Sequence, residues 1–340
     1  MTKTITIIGG GIAGIEAARL VAEQGYNVFV VEKKNQIGGN INNWYHLFPN
    51  NRDANDIRVY IDRILEQSNI TMLKQTDVDK IVKFENKFVV VTDKNLEIKS
   101  DVLLVATGFE PFDAELKEEY GYKIYNNVIT SVDLEKYFKE NKPLLTSQKK
   151  VPQRIAYVHC VGSRDAKVGH TYCSKVCCIT GVKQSIEVQK RIPNIENYCF
   201  YMDLRMFNLQ YEKYYKDAQQ HHHTQFIRGR VSEVAENRDG SLQIKAEDTL
   251  SGMPMRMRVD MLVLLVGMEP SALLKQINNQ LGLELEPNGF VQTKDVHLQN
   301  NYTNIDGVFV AGTAIGPMTI NETFNHSRNA AMEIIKYLSR

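Results

Sequence analysis

The feature that most constrains this chain lies in its first forty residues. Thr4-Ile-Thr-Ile-Ile8 is an apolar run of strand length, followed at once by Gly9-x-Gly11-x-x-Gly14. Ile12 to Gln24 then carries apolar residues at helical spacing (Ile15, Ala18, Val21, Ala22) and stops at Gly25. Val28 to Val31 reads as a second strand, and Glu32 closes it, 18 residues beyond Gly14. Strand, glycine turn, helix, strand and acid in this order predict a parallel βαβ unit built to hold a dinucleotide. The first glycine permits the tight turn, the second lets the backbone approach a pyrophosphate, and the third lets helix pack on strand. The helix N-terminus offers the anion its unpaired N–H groups. Glu32 can accept hydrogen bonds from an adenosine ribose and would repel a 2′-phosphate.

The same grammar recurs further on. Asp101-Val-Leu-Leu-Val-Ala-Thr-Gly-Phe-Glu-Pro111 aligns without a gap on Asp260-Met-Leu-Val-Leu-Leu-Val-Gly-Met-Glu-Pro270. Arg154 to Val158 likewise resembles the opening strand. We therefore expect an α/β chain of two Rossmann-like dinucleotide-binding domains. Lys142 to Gln153, rich in lysine and containing proline, reads as the linker into the second. The tail from Ile305, with a strand, a glycine turn and a helix from about Asn321 to Leu338, resembles the closing element of the first. The expected division is 1–141 with 271–340 as one domain and 142–270 as a second, inserted in it.

Charge excludes some partners. With 41 Lys+Arg against 40 Asp+Glu, there is no basic excess for nucleic acid or an anionic membrane. The longest apolar stretch, Met261 to Met268, is too short to span a bilayer. No charged-then-apolar leader precedes the first strand, so the expectation is a cytoplasmic protein. Five cysteines are too few for a secreted disulfide scaffold, and in a reducing compartment clustered cysteines point to metal or redox chemistry.

Three segments favour FAD over NAD. Gly38-Gly39 follows Glu32 closely, as in flavoproteins where a second loop covers the cofactor. Val105-Ala-Thr107-Gly108 resembles the glycine turn of two-domain flavoprotein reductases. Thr303-x-x-Asp-Gly-Val-Phe-Val-Ala-Gly312 resembles their second flavin motif. That motif commonly ends in Gly-Asp, whereas here it ends in Gly312-Thr313, so the ribityl contact passes to a hydroxyl or to another residue. The second domain lacks a matching glycine motif. Tyr157-Val-His-Cys-Val-Gly-Ser-Arg164 stands there instead, which speaks against NAD(P)H binding.

Four of the five cysteines fill that gap. Cys160, Cys173, Cys177 and Cys178 have the spacing C-x12-C-x3-C-C. A helix starting near Tyr172 would set Cys173 and Cys177 one turn apart on one face, with Cys160 reaching in from the preceding strand. Four thiolates suit a [4Fe–4S] cluster or zinc. The spacing matches neither a ferredoxin run nor paired zinc knuckles, and a dithiol site or unmetallated thiols remain alternatives. Cys199, in an apolar-aromatic strand, reads as core.

Cys160-Val-Gly-Ser-Arg-Asp165 with Tyr172-Cys-Ser-Lys-Val-Cys-Cys178 resembles the A subunit of heterodisulfide reductase and its sulfur-metabolism relatives, with supporting echoes at Asn127-Val-Ile-Thr-Ser131, Phe226-Ile-Arg-Gly-Arg230 and Gly316-Pro317. The resemblance implies a thioredoxin-reductase-like flavoprotein architecture, FAD, and a [4Fe–4S] cluster on the four cysteines. It also implies that Lys183 is the lysine near flavin N5; the plain alternative is a solvated helix lysine. Expected partners are other subunits of a heterodisulfide-reductase-like complex, with homodimerisation a family expectation. The chain resembles the short form in sulfur-oxidising complexes, without the C-x-x-C-x-x-C runs of longer members; quinone-interacting complexes contain a similar subunit. His221-His222-His223 reads as a solvated turn. Arg228 and Arg230 could hold an anion or a partner, or mark a strand edge. Trp44 and the residues after it could line flavin or core.

Overall fold

The computed structural model describes residues 2–66 and 69–340. The chain forms two compact units, one of Met1–Asn42, Ala54–Glu110 and Glu269–Arg340, the other of Asn43–Asp53 and Pro111–Met268.

The first unit is organised by a five-stranded parallel sheet in the order Val308–Val310, Val102–Val105, Thr4–Ile8, Asn27–Glu32, Ile70–Lys74. Both faces are covered, which is why its strands are continuous apolar runs: Ile5, Ile7, Ile8 and Val102 to Val105 are fully buried. The glycine-led helix Ile12–Glu23 packs beside the last helix, Ile320–Leu338. The last helix starts at a capping box, in which the Thr319 hydroxyl and Glu322 carboxylate satisfy each other's backbone N–H groups. A three-stranded antiparallel sheet, Val78–Phe84, Lys87–Thr92 and Glu97–Ser100, lays Phe88 and Val90 into the same core as Ile8, Leu103, Leu274 and Val308.

The second unit repeats the plan. Its parallel sheet runs Val128–Thr130, Met261–Val266, Arg154–Val161, Glu196–Tyr201, Gln225–Arg228, with an antiparallel sheet of Val231–Glu236, Leu242–Asp248 and Met253–Val259. Helices Ser131–Lys139, Cys177–Arg191 and Leu209–Gln220 complete it. Val128–Thr130 pairs with Leu262–Leu264, and the main segment of this unit runs from Pro111, ahead of the lysine-rich stretch at 142–153.

The internal echo has a structural cause. In each unit the echoed strand lies parallel beside the opening strand. Asp101 Oδ2 accepts the N–H of Thr4 at 2.8 Å, and Asp260 Oδ2 accepts that of Arg154 at 2.9 Å. The two aspartates act alike. Each ties down the first residue of a central strand, whose N–H lies at the end of the ladder.

Candidate cofactor sites

In the first unit the sheet gathers every residue expected to hold a flavin at one edge. Gly9 follows the opening strand, Glu32 ends its neighbour, Thr107-Gly108 follows Val102–Val105, and Gly312-Thr313 follows Val308–Val310. These are the carboxyl ends of parallel strands, where ligands of open α/β sheets bind. A Cβ on Gly14 would lie 1.9 Å from the Gly9 carbonyl oxygen, so the turn closes only on glycine; Gly9 itself, at φ +114°, leaves no room between its own position and the Ala106 carbonyl. Gly38 donates its N–H to Gly10 O at 2.7 Å, and Gly39 rests against Gly11, so the two glycine loops are stacked.

Glu32 is buried, and its carboxylate accepts N–H groups from Gly10 at 2.8 Å and Lys34 at 2.7 Å. Each oxygen keeps a lone pair for a ribose hydroxyl. Thr107 Oγ1 is buried and has no partner within the protein, the state expected of a hydroxyl held for a ligand. These features fit FAD. Sequence reasoning missed one residue here: the Gly312 N–H donates to His326 Nδ1 at 2.9 Å, while His326 Nε2 faces Asn300 O at 3.1 Å. The second flavin motif is thus tied to the last helix by a neutral imidazole.

The second unit builds a different site at the equivalent edge. Cys160 sits near the end of Arg154–Val161 with φ +60°. For a residue with a side chain that left-handed conformation costs about 1–3 kcal/mol, and here it breaks the ladder register between Val158 and Val161. The helix begins at Cys177, not near Tyr172. Lys175, at φ +62°, turns the chain just before it, and Val176 is the N-cap. Cys173 therefore lies outside the helix, its sulfur accepting the Lys175 N–H at 3.3 Å. Cys160 Sγ and Cys177 Sγ are 3.9 Å apart. Cys178, adjacent, is within reach of both Cys177 and His159. The fold thus brings Cys160, Cys177 and Cys178 together at a helix N-terminus, which favours thiolates. Arg164 lies within electrostatic range of both Cys160 and Cys173.

Hydrogen bonds to Cys160 and Cys178, then burial, push the Cys177 thiol well up. The bond from Cys177 pulls Cys178 down to about 4 against burial, with help from His159, and lowers Cys160 likewise, helped by Arg164. Burial, and then the nearby Cys178, raise Cys199, which is core as expected. Among the described residues no three His, Cys, Asp or Glu side chains form a ready cage for a metal ion. The surroundings nevertheless fit an anionic sulfur-ligated group. Four buried side-chain polar atoms of His159, Ser163 and Arg164, flanking Cys160, have no hydrogen-bond partner among the described residues.

Two charged networks hold this region. Asp165, in the loop between Cys160 and Cys173, takes Lys117 Nζ at 2.7 Å and Arg230 Nη2 at 2.8 Å. Arg164 Nη2 meets Asp203 Oδ2 at 2.7 Å, with Arg228 near the same carboxylate. Arg228 and Arg230 are thus loop anchors. Lys183 is no solvated lysine. Its side chain is 3% exposed and pairs with Glu135. Glu135 also accepts Gln184 Nε2 at 2.9 Å and the Tyr45 N–H at 3.1 Å. A signal for Glu135 existed: it shares the buried face of Ser131–Lys139 with Leu134 and Phe138, an unusual place for an acid. His221 and His222 lie in a turn beside Asp217.

A family profile described as pyridine nucleotide-disulphide oxidoreductase matches residues 3–333. The chain belongs to this family. It is 30% identical to the iron-sulfur A subunit of the CoB–CoM heterodisulfide reductase of Methanocaldococcus jannaschii, over 98% of this chain and 64% of the relative. It is 37% identical to the A subunit of the H2:CoB-CoM heterodisulfide,ferredoxin reductase of Methanothermobacter marburgensis, over 70% of this chain and 37% of that protein. The chain thus spans less than two thirds of these relatives. The solved thioredoxin reductase of T. acidophilum superposes with a TM-score of 0.68 at 16% identity, covering 99% of this chain and 98% of that one. That of Lactococcus lactis gives 0.68 at 19%, covering 99% of both. The expected resemblance to the A subunit of heterodisulfide reductase holds, as does the thioredoxin-reductase-like architecture. Family and fold together make the chain an FAD-dependent oxidoreductase. No helix among the described residues is long and apolar enough to cross a membrane.

Proposed function

We propose that this chain is the flavin- and iron–sulfur-bearing electron-transfer subunit of a heterodisulfide-reductase-like complex, acting on thiol, disulfide or sulfane-sulfur substrates in the cytoplasm. In this reading Gly9, Gly11 and Gly14 receive the FAD pyrophosphate, Glu32 the ribose, and Gly38, Gly39, Thr107, Gly108, Gly312 and Thr313 the rest of the cofactor. Cys160, Cys173, Cys177 and Cys178 ligate a [4Fe–4S] cluster. When bound, the two groups supply two-electron and one-electron chemistry. The protein orients them, excludes water from the thiolates, and presents the buried Lys183 side chain, the proposed donor near flavin N5. Glu135 holds that side chain in place. Other subunits of the complex are the proposed partners, and a second copy of the chain a further one.

One observation carries this reading. Where the second parallel sheet would present glycines to a pyrophosphate, it presents cysteines instead, with buried donors without partners beside Cys160 in the chain. Anaerobic purification is expected to yield FAD together with iron and acid-labile sulfide. Cys177→Ala should lose the iron and sulfide and keep the flavin. Flavin without metal in the cysteine-intact protein would sink the cluster. Stoichiometric zinc instead would identify a single tetrahedral ion, whose bonds of about 2.3 Å place two sulfurs near the 3.9 Å seen between Cys160 and Cys177.

A second reading, a stand-alone NAD(P)H-dependent reductase, is favoured by the family's description. Rapid bleaching of the flavin by NADH or NADPH without any partner would establish it.

A further inference from the structure

The geometry points to His159 as the hydrogen-bond donor that sets the reduction potential of the metal–sulfur centre. The inference rests on the proposed centre and names a residue, outside the four cysteines, that acts on it through sulfur.

His159 is 6% exposed, and neither ring nitrogen has a partner in the protein. A neutral imidazole always carries one N–H, and burying that donor unpaired is costly. Its Nε2 faces Gly181 on the cysteine helix, and Cys178 lies three residues before Gly181 on the same helix face, so the acceptor presented there is sulfur. Gly181, one turn into the cysteine helix, makes the space. A Cβ there would come within 2.9 Å of His159 Nε2 and 3.0 Å of Cε1. The imidazole therefore occupies a slot cut between strand and helix, against the ligand-bearing turn. Ser163 Oγ and Arg164 Nη1, close to Cys160 in the chain, are likewise buried donors without a partner.

An N–H directed at thiolate or sulfide sulfur stabilises the more negative, reduced state. Hydrogen bonds to sulfur are among the factors that set such potentials. His159 therefore raises the potential, and its removal lowers it.

The test is the midpoint potential of the metal centre in purified holoprotein, followed by its absorption or paramagnetic signal during anaerobic titration. Iron and sulfide are assayed on each sample. His159→Leu keeps bulk and loses the donor. It is expected to shift the reduction equilibrium about tenfold toward the oxidised form, which is about 59 mV for one electron. His159→Gln restores a donor and should return most of the shift. Gly181→Ala leaves the imidazole chemically intact but displaces it, and should move the potential the same way by less. An unchanged potential in His159→Leu, with iron and sulfide intact, overturns the assignment. If His159→Leu takes up no iron, the other two variants decide. Gly181→Ala lowered with His159→Gln near wild type supports the role, and both unmoved refutes it. Wild-type protein lacking iron and sulfide refutes the cluster reading itself, a result separable from all of these.

Discussion

The Lys183–Glu135 pair gives the sharpest test of how the second unit is held. Glu135→Leu would leave a buried ammonium without its carboxylate, on a side chain 3% exposed. Breaking such a pair from one side costs about 3–5 kcal/mol. Two further donors lose their acceptor. Gln184 keeps Ser131 O at 2.8 Å, so little is added there, and the Tyr45 N–H adds about 1 kcal/mol. The expected total is about 4–6 kcal/mol, a large share of the stability of an ordinary domain. Replacing both partners, as Glu135→Leu with Lys183→Met, removes the stranded charge and should cost only about 1–2 kcal/mol, since apolar pairs often substitute for buried ion pairs. The double variant is then about 3 kcal/mol more stable than Glu135→Leu alone, where independent sites would only add their losses. The chain's single tryptophan, Trp44, precedes Tyr45 and lies in the second unit, so its fluorescence during urea unfolding reports on this region. At about 2 kcal/mol per molar urea, Glu135→Leu should lower the midpoint by about 2–3 M and the double variant should recover most of it. A coupling below about 0.5 kcal/mol would refute the reasoning.

Other perturbations have defined outcomes. Gly14→Ala forces a methyl to 1.9 Å from Gly9 O and should weaken FAD binding by at least tenfold in a fluorescence titration. Burial alone would raise Asp165, but Lys117, the Lys167 N–H and Arg230 hold its carboxyl below the ordinary range. Its stabilisation is therefore complete above about pH 3.9 and is lost as pH falls through the lower folded value. Asp165→Asn should be less stable at neutral pH and lose less on acidification. Burial depresses His326, and its Nδ1 must stay unprotonated to accept from Gly312. Its contribution is thus present above about pH 6.5 and lost as pH falls through the folded value. Flavin release on mild acidification, followed by fluorescence, should be reduced in His326→Asn, which keeps an acceptor and cannot titrate.

How far the sequence reaches depends on how local each signal is. The opening βαβ unit is legible because its glycines, helix spacing and acid are consecutive, and each acts on its own turn. The Asp101 and Asp260 echo is legible as a repeat, because both aspartates solve the same local problem at the start of a central strand. The cysteine spacing likewise identifies a concentrated sulfur site and the relatives that carry it. Tertiary structure alone decided the rest. Whether Lys183 is solvated or buried depends on Glu135, 48 residues away on another helix. Arg230 is an anchor because Asp165 lies across from it, 65 residues earlier. The helix starts at Cys177 because Lys175 turns left-handed, so Cys173 falls outside it. His326 and His159 gain their meaning only from Gly312 and Gly181. Periodicity records which side of an element is buried. The partner that a buried charge or imidazole meets there is set by how separate elements pack, and burial makes that partner obligatory because a polar group out of water must be satisfied by whatever the fold brings to it.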